Sequence, residues 1–459
     1  MSVYEGHGVT LHHGDCLDVL RTLPDASVDS VVTDPPYNLS FMGKGWDTFP
    51  IRKRGQGGTG INSEHAGGVE FKASAEASHA FQQWCEAWAT ECLRVLKPGG
   101  HLLAFGGTRT WHRLACAIED AGFEVRDSIA WLYGSGFPKS LDVSKAIDKA
   151  AGAEREVVGL KTYGEGQTFT GSAKGGRSAG HMGTVTERGP SLETAPATDA
   201  AREWAGWGTA LKPAFEPVVV ARKPLAGTVA ANVLAHGTGA LNIDGCRVGD
   251  GGQLSWAEPR GIGYMGGGSN AGAVAATENA KGRWPANVVL DESQAEALDE
   301  QSGESTSQGG SRTASRGATQ GASNGGMQGG YNLGAGGDYQ PYGDSGGASR
   351  FFYVAKAPAN ERPRVNGTAH PTVKPLDLMR WLVRLVTPPG GTVLEPFAGS
   401  GTTVEACIVE GFQCIAIERE ADYLPLIRQR IDRRREPVEA LRGQAADLGL
   451  FDLLGGEGA

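Results

Sequence analysis

The stretch that decides the fold runs from Ser27 to Tyr37 and reads SVDSVVTDPPY. Val28, Val31 and Val32 are apolar and β-branched, which favours a buried strand. The two prolines that follow cannot donate hydrogen bonds to a neighbouring strand, so they end it. Asp34 is therefore predicted at the carboxyl end of a strand, the edge at which open α/β sheets bind ligands. Its carboxylate, a rigid proline carbonyl and an aromatic ring form a receptor for a planar amino group. The alternative is a strand followed by a Pro-Pro turn with a capping Asp.

A second stretch, Thr392 to Glu418, reads TVLEPFAGSGTTVEACIVEGFQCIAIE and predicts a strand, a glycine turn, a helix and another strand. Gly399 and Gly401 allow a turn without side chains, so a ligand can approach the main chain closely. The last strand ends in Glu418, 17 residues beyond Gly401. This is near the spacing at which an acidic residue reaches ribose hydroxyls in nucleotide-binding βαβ units. No Lys follows the glycines, which excludes a triphosphate-binding loop.

The remaining regular segments alternate between strands and helices, which predicts a mostly parallel sheet with crossover helices. The predicted elements are a strand and helix over Val9–Leu23, a helix over Phe81–Leu96, a strand over His101–Phe105, a helix over Thr110–Ala121, a strand over Glu124–Trp131, a strand over Phe351–Pro358, and helices over Leu376–Thr387 and Ala421–Arg435. Trp84 and Trp88 recur on the apolar face of the Phe81–Leu96 helix, which favours a place in the core over a role in stacking bases.

Composition limits the class of protein. The 459 residues are enough for two or three domains. A net charge of −9 is not typical of a nucleic-acid-binding protein, although such binding depends on local patches. The seven cysteines include no CxxC pair, which indicates reduced thiols in a cytoplasmic protein. The N-terminus has no basic-then-apolar signal and no window approaches about 18 apolar residues, so secretion and membrane insertion are not expected.

The motifs DPPY and FAGSGTT together resemble the amino-methylating DNA methyltransferases of the N6-adenine and N4-cytosine type. The glycine turn lies more than 350 residues after the acid, the permuted order of the beta class. HPTVKP, from His370 to Pro375, and Gly14-Asp15 resemble two further segments of this family. The resemblance implies an α/β, Rossmann-like, S-adenosylmethionine-dependent methyltransferase. Its sheet would be mostly parallel and mixed, with helices on both faces, a circularly permuted motif order and a Gly-rich insert.

The resemblance also implies the site residues. The carboxylate of Asp34 and the carbonyl of Pro35 would accept the amino hydrogens of the target base, Pro36 completes the motif, and Tyr37 would stack on the base. The implied cofactor-binding residues are Asp15, Lys374, Glu395, Phe397, Ala398, Gly399, Ser400, Gly401, Thr402 and Glu418. Asp15 would contact the cofactor adenine and Glu395, where the family more often has Asp, its amino group. No metal is expected, because methyl transfer to an amine is a direct displacement.

Several of these residues have simpler readings. Asp15 is also suited to cap a helix. His370 and Lys374 are interpreted as contacts to DNA phosphate or to the cofactor carboxylate, or else their segment only caps the helix that begins near Pro375. The arginines between Arg428 and Arg435 form the most basic stretch of the chain. They are expected to contact phosphate, and the alternative is a solvated helix face.

Glycine divides the chain into candidate domains. Between Glu154 and Arg350 lie 40 of the 70 glycines, which predicts loop or disorder over Ser302–Gly347. We predict a catalytic half over 1–150, a Gly-rich insert over 151–350, a cofactor-binding half over 351–435 and a tail over 436–459. Three apolar stretches interrupt the insert, and they form either the target-recognition region or the edge of the sheet. These are Glu216–Lys223, Gly239–Val248 and Arg283–Leu290. Asn38–Ile51 is predicted to be a flap over the target base.

The function predicted from these residues is transfer of a methyl group from S-adenosylmethionine to N6 of adenine in double-stranded DNA, after base flipping. N4 of cytosine is the alternative acceptor, and a catalytically silent DNA-binding subunit is a second alternative. Methylation at carbon-5 of cytosine requires a Pro-Cys pair, and none of the seven cysteines follows a proline. The family's frequent dimers predict a homodimer. A cognate restriction endonuclease, a phage origin or an enzyme acting alone stay open.

Overall fold

The computed structural model describes residues 2–38, 75–136, 140–160, 192–249, 282–306, 345–356 and 361–434. The strands are β1 (Ser2–Gly6), β2 (Val9–His13), β3 (Val28–Thr33), β4 (Leu96–Phe105), β5 (Glu124–Leu132), β6 (Val157–Leu160), β7 (Leu192–Thr194), β8 (Phe215–Arg222), β9 (Val288–Asp291), β10 (Ser305–Thr306), β11 (Ser345–Gly346), β12 (Tyr353–Ala355), β13 (Thr392–Glu395) and β14 (Gln413–Glu418). The helices are α1 (Cys16–Leu20), α2 (Ala75–Val95), α3 (Trp111–Asp120), α4 (Val143–Ala150), α5 (Asp199–Glu203), α6 (Val229–His236), α7 (Glu292–Ser302), α8 (Leu376–Val386) and α9 (Thr402–Glu410). Residues 424–434 form the C-terminal helix.

Ten strands form one sheet in the order β1-β2-β14-β13-β3-β4-β8-β5-β9-β12. Neighbours are antiparallel in three pairs, β1/β2, β4/β8 and β8/β5, and parallel in the other six. The predicted mostly parallel, mixed α/β sheet of Rossmann-like type is confirmed. Among the described residues, β6/β7 and β10/β11 form two small separate pairs.

Helices cover both faces of the sheet, as predicted. Successive residues of a strand point to opposite faces, so Val31 packs with α1, α2 and α3 while Val32 packs with α8 and α9. The neighbouring strands β4 and β8 divide their side chains between the same two clusters. All six residues of β3 are buried, which is the pattern of a central strand covered on both sides. The apolar run around Val28 therefore forms the middle of the molecule.

Strand β8 is the main departure from the predicted order of strands. The βαβ unit of β4, α3 and β5 is present, but β8 lies between its two strands and pairs antiparallel with both. Glu216–Lys223 was predicted either to mark target recognition or to complete the edge of the sheet. Its strand instead lies in the interior, because Val218 to Ala221 are buried on both faces. The Gly-rich insert thus contributes to the main sheet.

The two other apolar stretches of the insert differ from each other. Arg283–Leu290 contributes β9, which pairs with β5 and with the edge strand β12. Gly239–Val248 contains no strand and forms one turn of 3-10 helix, Asp244–Cys246. The indole of Trp381 donates a hydrogen bond of 3.2 Å to the Cys246 carbonyl, which holds this turn against α8. The predicted domain boundaries at residues 150 and 350 stay a prediction. Strands β8 and β9, which lie between these positions in the sequence, belong to the main sheet.

Three arginines of the basic stretch near the C-terminus, Arg430, Arg433 and Arg434, bind one buried carboxylate, which corrects the predicted phosphate contact for these three. Arg430 is 0% exposed, donates to the Ser400 carbonyl at 2.8 Å and forms an ion pair with the equally buried Glu405. Arg433 and Arg434 bind the same carboxylate. Burial costs a charged group several kcal/mol unless it is paired, so Glu405 keeps these side chains against the protein. Burial would raise the pKa of Glu405, but the surrounding guanidinium groups outweigh it and lower the pKa.

Several predictions fall outside the described residues. These are the flap beyond Asn38, the basic triplet Arg52 to Arg54, most of the predicted disorder over Ser302–Gly347, Arg435 and the tail from Glu436. All seven cysteines lie in the described part and are free thiols. Within that part, no helix has both the length and the apolar character needed to cross a bilayer.

Candidate active site

Four acidic residues lie at the ends of four adjacent parallel strands. Asp15 follows β2, Glu418 ends β14, Glu395 ends β13 and Asp34 follows β3. The register holds these ends level, since Glu418 pairs with His13 and Leu394 pairs with Val31. Carboxyl ends of parallel strands form the ligand-binding edge of such a sheet. Two motifs more than 350 residues apart in the sequence therefore share one cleft.

Asp34 is held by two hydrogen-bond donors. The Tyr37 hydroxyl donates to Oδ1 at 2.6 Å, and the Lys374 ammonium donates to Oδ2 at 2.7 Å. The loop after β3 is anchored by Thr110, whose hydroxyl donates to the Tyr37 carbonyl at 2.9 Å. Gly107 passes beneath the Tyr37 ring so closely that a Cβ there would lie 3.1 Å from it. No donor among the described residues contacts the carbonyl of Pro35.

Lys374 lies beside the catalytic motif in the cleft, and its contact with the cofactor or a DNA phosphate stays a prediction. Its side chain is 8% exposed and also forms an ion pair of 3.0 Å with Glu216. The ammonium lies 4.7 Å from the centre of the Phe105 ring, a cation–π distance. Burial would lower the pKa of Lys374, but the carboxylates of Asp34 and Glu216 outweigh burial and raise it. Lys374 is therefore cationic at neutral pH.

The glycine turn connects β13 to α9 next to this motif. Gly399 has a φ of +51° and donates its N–H to Glu418 Oε2 at 2.7 Å. Gly401 has a φ of +80°, and a Cβ there would lie 3.0 Å from the Cα of Ile427. Both positions need glycine, but for different reasons. Gly399 lines the cleft, whereas Gly401 lets the turn approach the C-terminal helix and does not line the cleft.

Glu395 and Glu418 are buried carboxyl groups. Glu395 is 1% exposed and accepts hydrogen bonds from the Thr33 hydroxyl, from the Thr403 hydroxyl at 2.6 Å and from the Phe397 N–H at 3.0 Å. Burial raises the pKa of Glu395 to about 8, although these hydrogen bonds oppose the rise. Burial likewise raises the pKa of Glu418 to about 7. Both groups therefore sit near the point where they gain or lose a proton at neutral pH.

The cleft brings together every predicted site residue except Gly401. Its walls include the predicted residues Asp15, Asp34, Pro35, Pro36, Tyr37, Lys374, Glu395, Phe397, Ala398, Gly399, Ser400, Thr402 and Glu418. Asp15 also caps α1, because its Oδ1 accepts the N–H of Leu17 at 2.9 Å. The two readings of Asp15 are thus compatible, since the same side chain both caps the helix and faces the cleft.

Sequence reasoning missed other residues of the cleft. Glu216 was read only as part of a strand, and Trp84 was assigned to the core. Trp88 is fully buried as expected, but Trp84 lines the cleft and lies 5.5 Å from the Phe397 ring. Tyr423 was also missed, and it packs against His370, which the sequence did indicate, with 4.6 Å between ring centres. The signal for Glu216 was a carboxylate two residues before a run of buried valines that begins at Val218.

The arrangement combines a carboxylate face with an aromatic wall and a backbone turn. Carboxylates favour cationic and amino groups, and the rings of Trp84 and Phe397 offer apolar surface beside them. Among the described residues, no three His, Cys, Asp or Glu side chains are grouped to hold a metal ion.

A sequence model of the N6-adenine and N4-cytosine DNA methylases matches residues 28–150 and 325–429, which contain both motifs of this cleft. The chain belongs to this DNA methylase family. It is similar to the Type II methyltransferase M.HindIII of Haemophilus influenzae, with 23% identity over 246 residues that make up 50% of this chain and 64% of the relative. It is also similar to M.HinfI of the same species, with 28% identity over 122 residues, 27% of this chain and 31% of the relative. Both matches span less than two thirds of the relative.

Solved DNA methyltransferases have a more distant likeness. The match to a complex of M1.HpyAVI with SAM has 14% identity and a TM-score of 0.34. It covers 92% of this chain and 98% of the M1.HpyAVI chain. The cytosine-N4-specific PvuII DNA methyltransferase has 14% identity and a TM-score of 0.39, and covers 92% of this chain and 86% of its own.

Proposed function

We propose that the chain transfers a methyl group from S-adenosylmethionine to the exocyclic N6 of adenine in double-stranded DNA, after base flipping. The observation that supports this most directly is the placement of Asp34 and Gly399 in one cleft. The acid-proline segment and the glycine turn end adjacent strands, so a nucleobase amino group and a cofactor can meet there. The permuted motif order of the beta class is part of the same proposal.

The target nitrogen attacks the methyl carbon while the carbon–sulfur bond breaks, and both electrons of that bond go to sulfur. The nitrogen becomes cationic and then loses a proton to a carboxylate, for which Asp34 is the nearest candidate. The amino group is a poor nucleophile because its lone pair is delocalised into the ring. Acceptors at Asp34 and at the Pro35 carbonyl favour a pyramidal nitrogen and direct its lone pair. A preorganised polar group of this kind contributes about a hundred- to a thousandfold in rate.

The residues around the glycine turn fit the cofactor. S-adenosylmethionine supplies an electrophilic methyl group on a cationic sulfur. Glu395, almost fully buried and facing the cleft, would bind its ammonium group. Glu418 would accept ribose hydroxyls, since each carboxylate oxygen can accept more than the one N–H that it already has. Trp84 and Phe397 would pack beside the adenine, and Asp15 would accept its amino group.

Adenine is proposed over cytosine because DPPY resembles the adenine enzymes more than the cytosine enzymes. We also propose that residues 151–350 contain the target-recognition region, outside the strands that complete the sheet. A homodimer and a cognate restriction endonuclease are proposed from the family resemblance alone.

The decisive experiment incubates the purified chain with DNA and methyl-labelled cofactor, digests the DNA and identifies the modified nucleoside by mass. Label on N6-methyldeoxyadenosine is expected. Label on N4-methyldeoxycytidine would mean that the acceptor base is cytosine, while the class of reaction would stay the same. Label on carbon-5 of cytosine, or on protein alone, would overturn the proposal. D34A should lose activity while retaining cofactor binding, and D18A, at an exposed position on α1, should behave like wild type.

A further inference from the structure

Both oxygens of the Asp34 carboxylate are occupied in the free protein. Oδ1 accepts the Tyr37 hydroxyl at 2.6 Å, and Oδ2 accepts the Lys374 ammonium at 2.7 Å. The ammonium is the stronger competitor, because a charge-assisted hydrogen bond is about twice as strong as a neutral one. Each oxygen can still accept a further hydrogen bond, but the Lys374 ammonium, only 8% exposed, compensates the negative charge that Asp34 would offer to a neutral amino group. A second acceptor for this cation would therefore favour the proposed reaction.

Glu216 provides that place. Its Oε2 lies 3.0 Å from the Lys374 ammonium and 3.1 Å from the Tyr37 hydroxyl, so it already contacts both donors that occupy Asp34. The Glu216 side chain is 20% exposed. Glu216 lies near the start of the antiparallel strand β8, whose first residues are at the same edge of the sheet as the carboxyl ends of β3 and β4. Neither donor has to leave its position to exchange one acceptor for the other.

We propose that Glu216 is a positioning residue that takes over the Lys374 ammonium when the target amino group binds Asp34 Oδ2. Lys374 then keeps two partners, Glu216 and the Tyr37 oxygen, which lies 3.1 Å away. Asp34 Oδ2 then offers its charge to the amino group in place of the ammonium. The inference rests on the proposed function and adds a role for a strand that lies outside both recognised motifs.

The charges of the cluster support the same role. Asp34 and Glu216 carry two negative charges and Lys374 one positive charge, so one negative charge is left uncompensated. Positive charge moves from the cofactor sulfur to the target nitrogen during transfer, and a fixed negative charge beside that nitrogen stabilises the transition state. Without Glu216 the pair of Asp34 and Lys374 would be neutral, and Asp34 would be the only carboxylate with which the described structure pairs the ammonium.

The test compares E216A, E216Q, K374M and the double variant E216A/K374M with wild type. Single-turnover methylation is measured at saturating DNA and cofactor, and the affinity for each is measured separately. E216A should slow transfer about a hundredfold with unchanged cofactor affinity. E216Q should lose less, because its amide oxygen still accepts from the ammonium. E216A/K374M should be faster than E216A, since no cation remains to hold Asp34.

E124A is the matched control. Glu124 in β5 pairs with Arg222, which lies at the end of β8 opposite to Glu216. Its loss should therefore leave the rate unchanged. A rate for E216A equal to wild type, or a double variant that simply combines the two single losses, would overturn the inference. A merely structural role for Glu216 predicts the second result. Failure of the proposed function would be distinct, because wild type itself would then methylate no DNA.

Discussion

At the scale of single residues, burial disfavours the charged form of the acidic side chains that line the cleft. Glu395 is almost fully buried, and an ionised carboxylate there loses its hydration, so its pKa rises to about 8. Three hydrogen bonds from the protein do not compensate fully. A buried acid that is mostly protonated at neutral pH contributes little charge to stabilising the fold. It is well suited to a ligand that brings its own positive charge.

Cofactor binding should therefore release a proton from Glu395. Its ordinary pKa is 4.5, so between about pH 4.5 and 8 the ligand-free protein holds a proton that a bound ammonium group would expel. Affinity should rise with pH up to about 8 and then level, at most about tenfold per pH unit for one proton. Calorimetry in buffers of different ionisation enthalpy measures the proton count. The difference between wild type and E395Q isolates this residue, and equal release from both would contradict the assignment.

At the scale of elements, the glycine turn is held from two sides. Glu418 receives the N–H of Gly399 on the cleft side, and Arg430 donates to the Ser400 carbonyl on the other. The C-terminal helix thus supports the turn that the cofactor is proposed to contact. Arg430, Arg433 and Arg434 of this helix also bind Glu405, so these three side chains face the protein and not a phosphate.

Gly401 and Gly411 form a matched pair for testing the turn. Both have positive φ, +80° and +77°, but a Cβ meets the Ile427 backbone only at Gly401 and nothing within 4 Å at Gly411. G411A should cost about 1–2 kcal/mol for its backbone conformation alone. G401A should cost about 2–4 kcal/mol, because the clash adds to the strain. Chemical denaturation measures both, and equal losses would show that the turn tolerates the added methyl group.

Glu405 should be among the costliest carboxylates to remove. E405A leaves Arg430 buried without its ion pair, which costs about 3–5 kcal/mol of the free energy of unfolding. E410A is the control, because its partners Arg380 and Arg384 are about a third exposed and can be solvated. We expect about 1 kcal/mol or less there. Similar losses for both variants would mean that Arg430 finds another partner.

At the scale of the whole molecule, one part of the Gly-rich insert belongs to the main sheet and another part does not. Strand β8 separates β4 from β5 in the sheet, and β9 adds to the far side. By contrast, β10 and β11 pair directly, with Thr306 opposite Ser345, so the two described chain ends that flank residues 307–344 are adjacent. Glycine density alone did not distinguish these two parts.

Replacing residues 307–344 with Asn-Gly should preserve the fold. A two-residue turn of this type joins antiparallel strands that are already paired. Thermal unfolding and cofactor affinity should therefore match wild type. Deleting residues 215–222 should instead prevent folding, since β4 and β5 would each lose a row of hydrogen bonds inside the sheet. Loss of the fold in the first variant would show that residues 307–344 contribute to the core.

The sequence by itself determined the local features of the fold. The strand that ends at Asp34, the glycine turn at Gly399 and the strand that ends at Glu418 depend on short-range properties: β-branched side chains, prolines that cannot pair and glycines that turn. Because parallel strands place their carboxyl ends at one edge, these features also predicted a shared cleft.

Only the tertiary structure decided which charged groups meet. Lys374 lies 340 residues from Asp34, and Glu216 lies 179 residues from Tyr37, so no spacing in the sequence reveals their contacts. The antiparallel direction of β8 brings Glu216 to the cleft, and the burial of Glu405 turns the basic helix inward. Which charged groups pair depends on how distant segments pack together, so composition and motifs could not predict it.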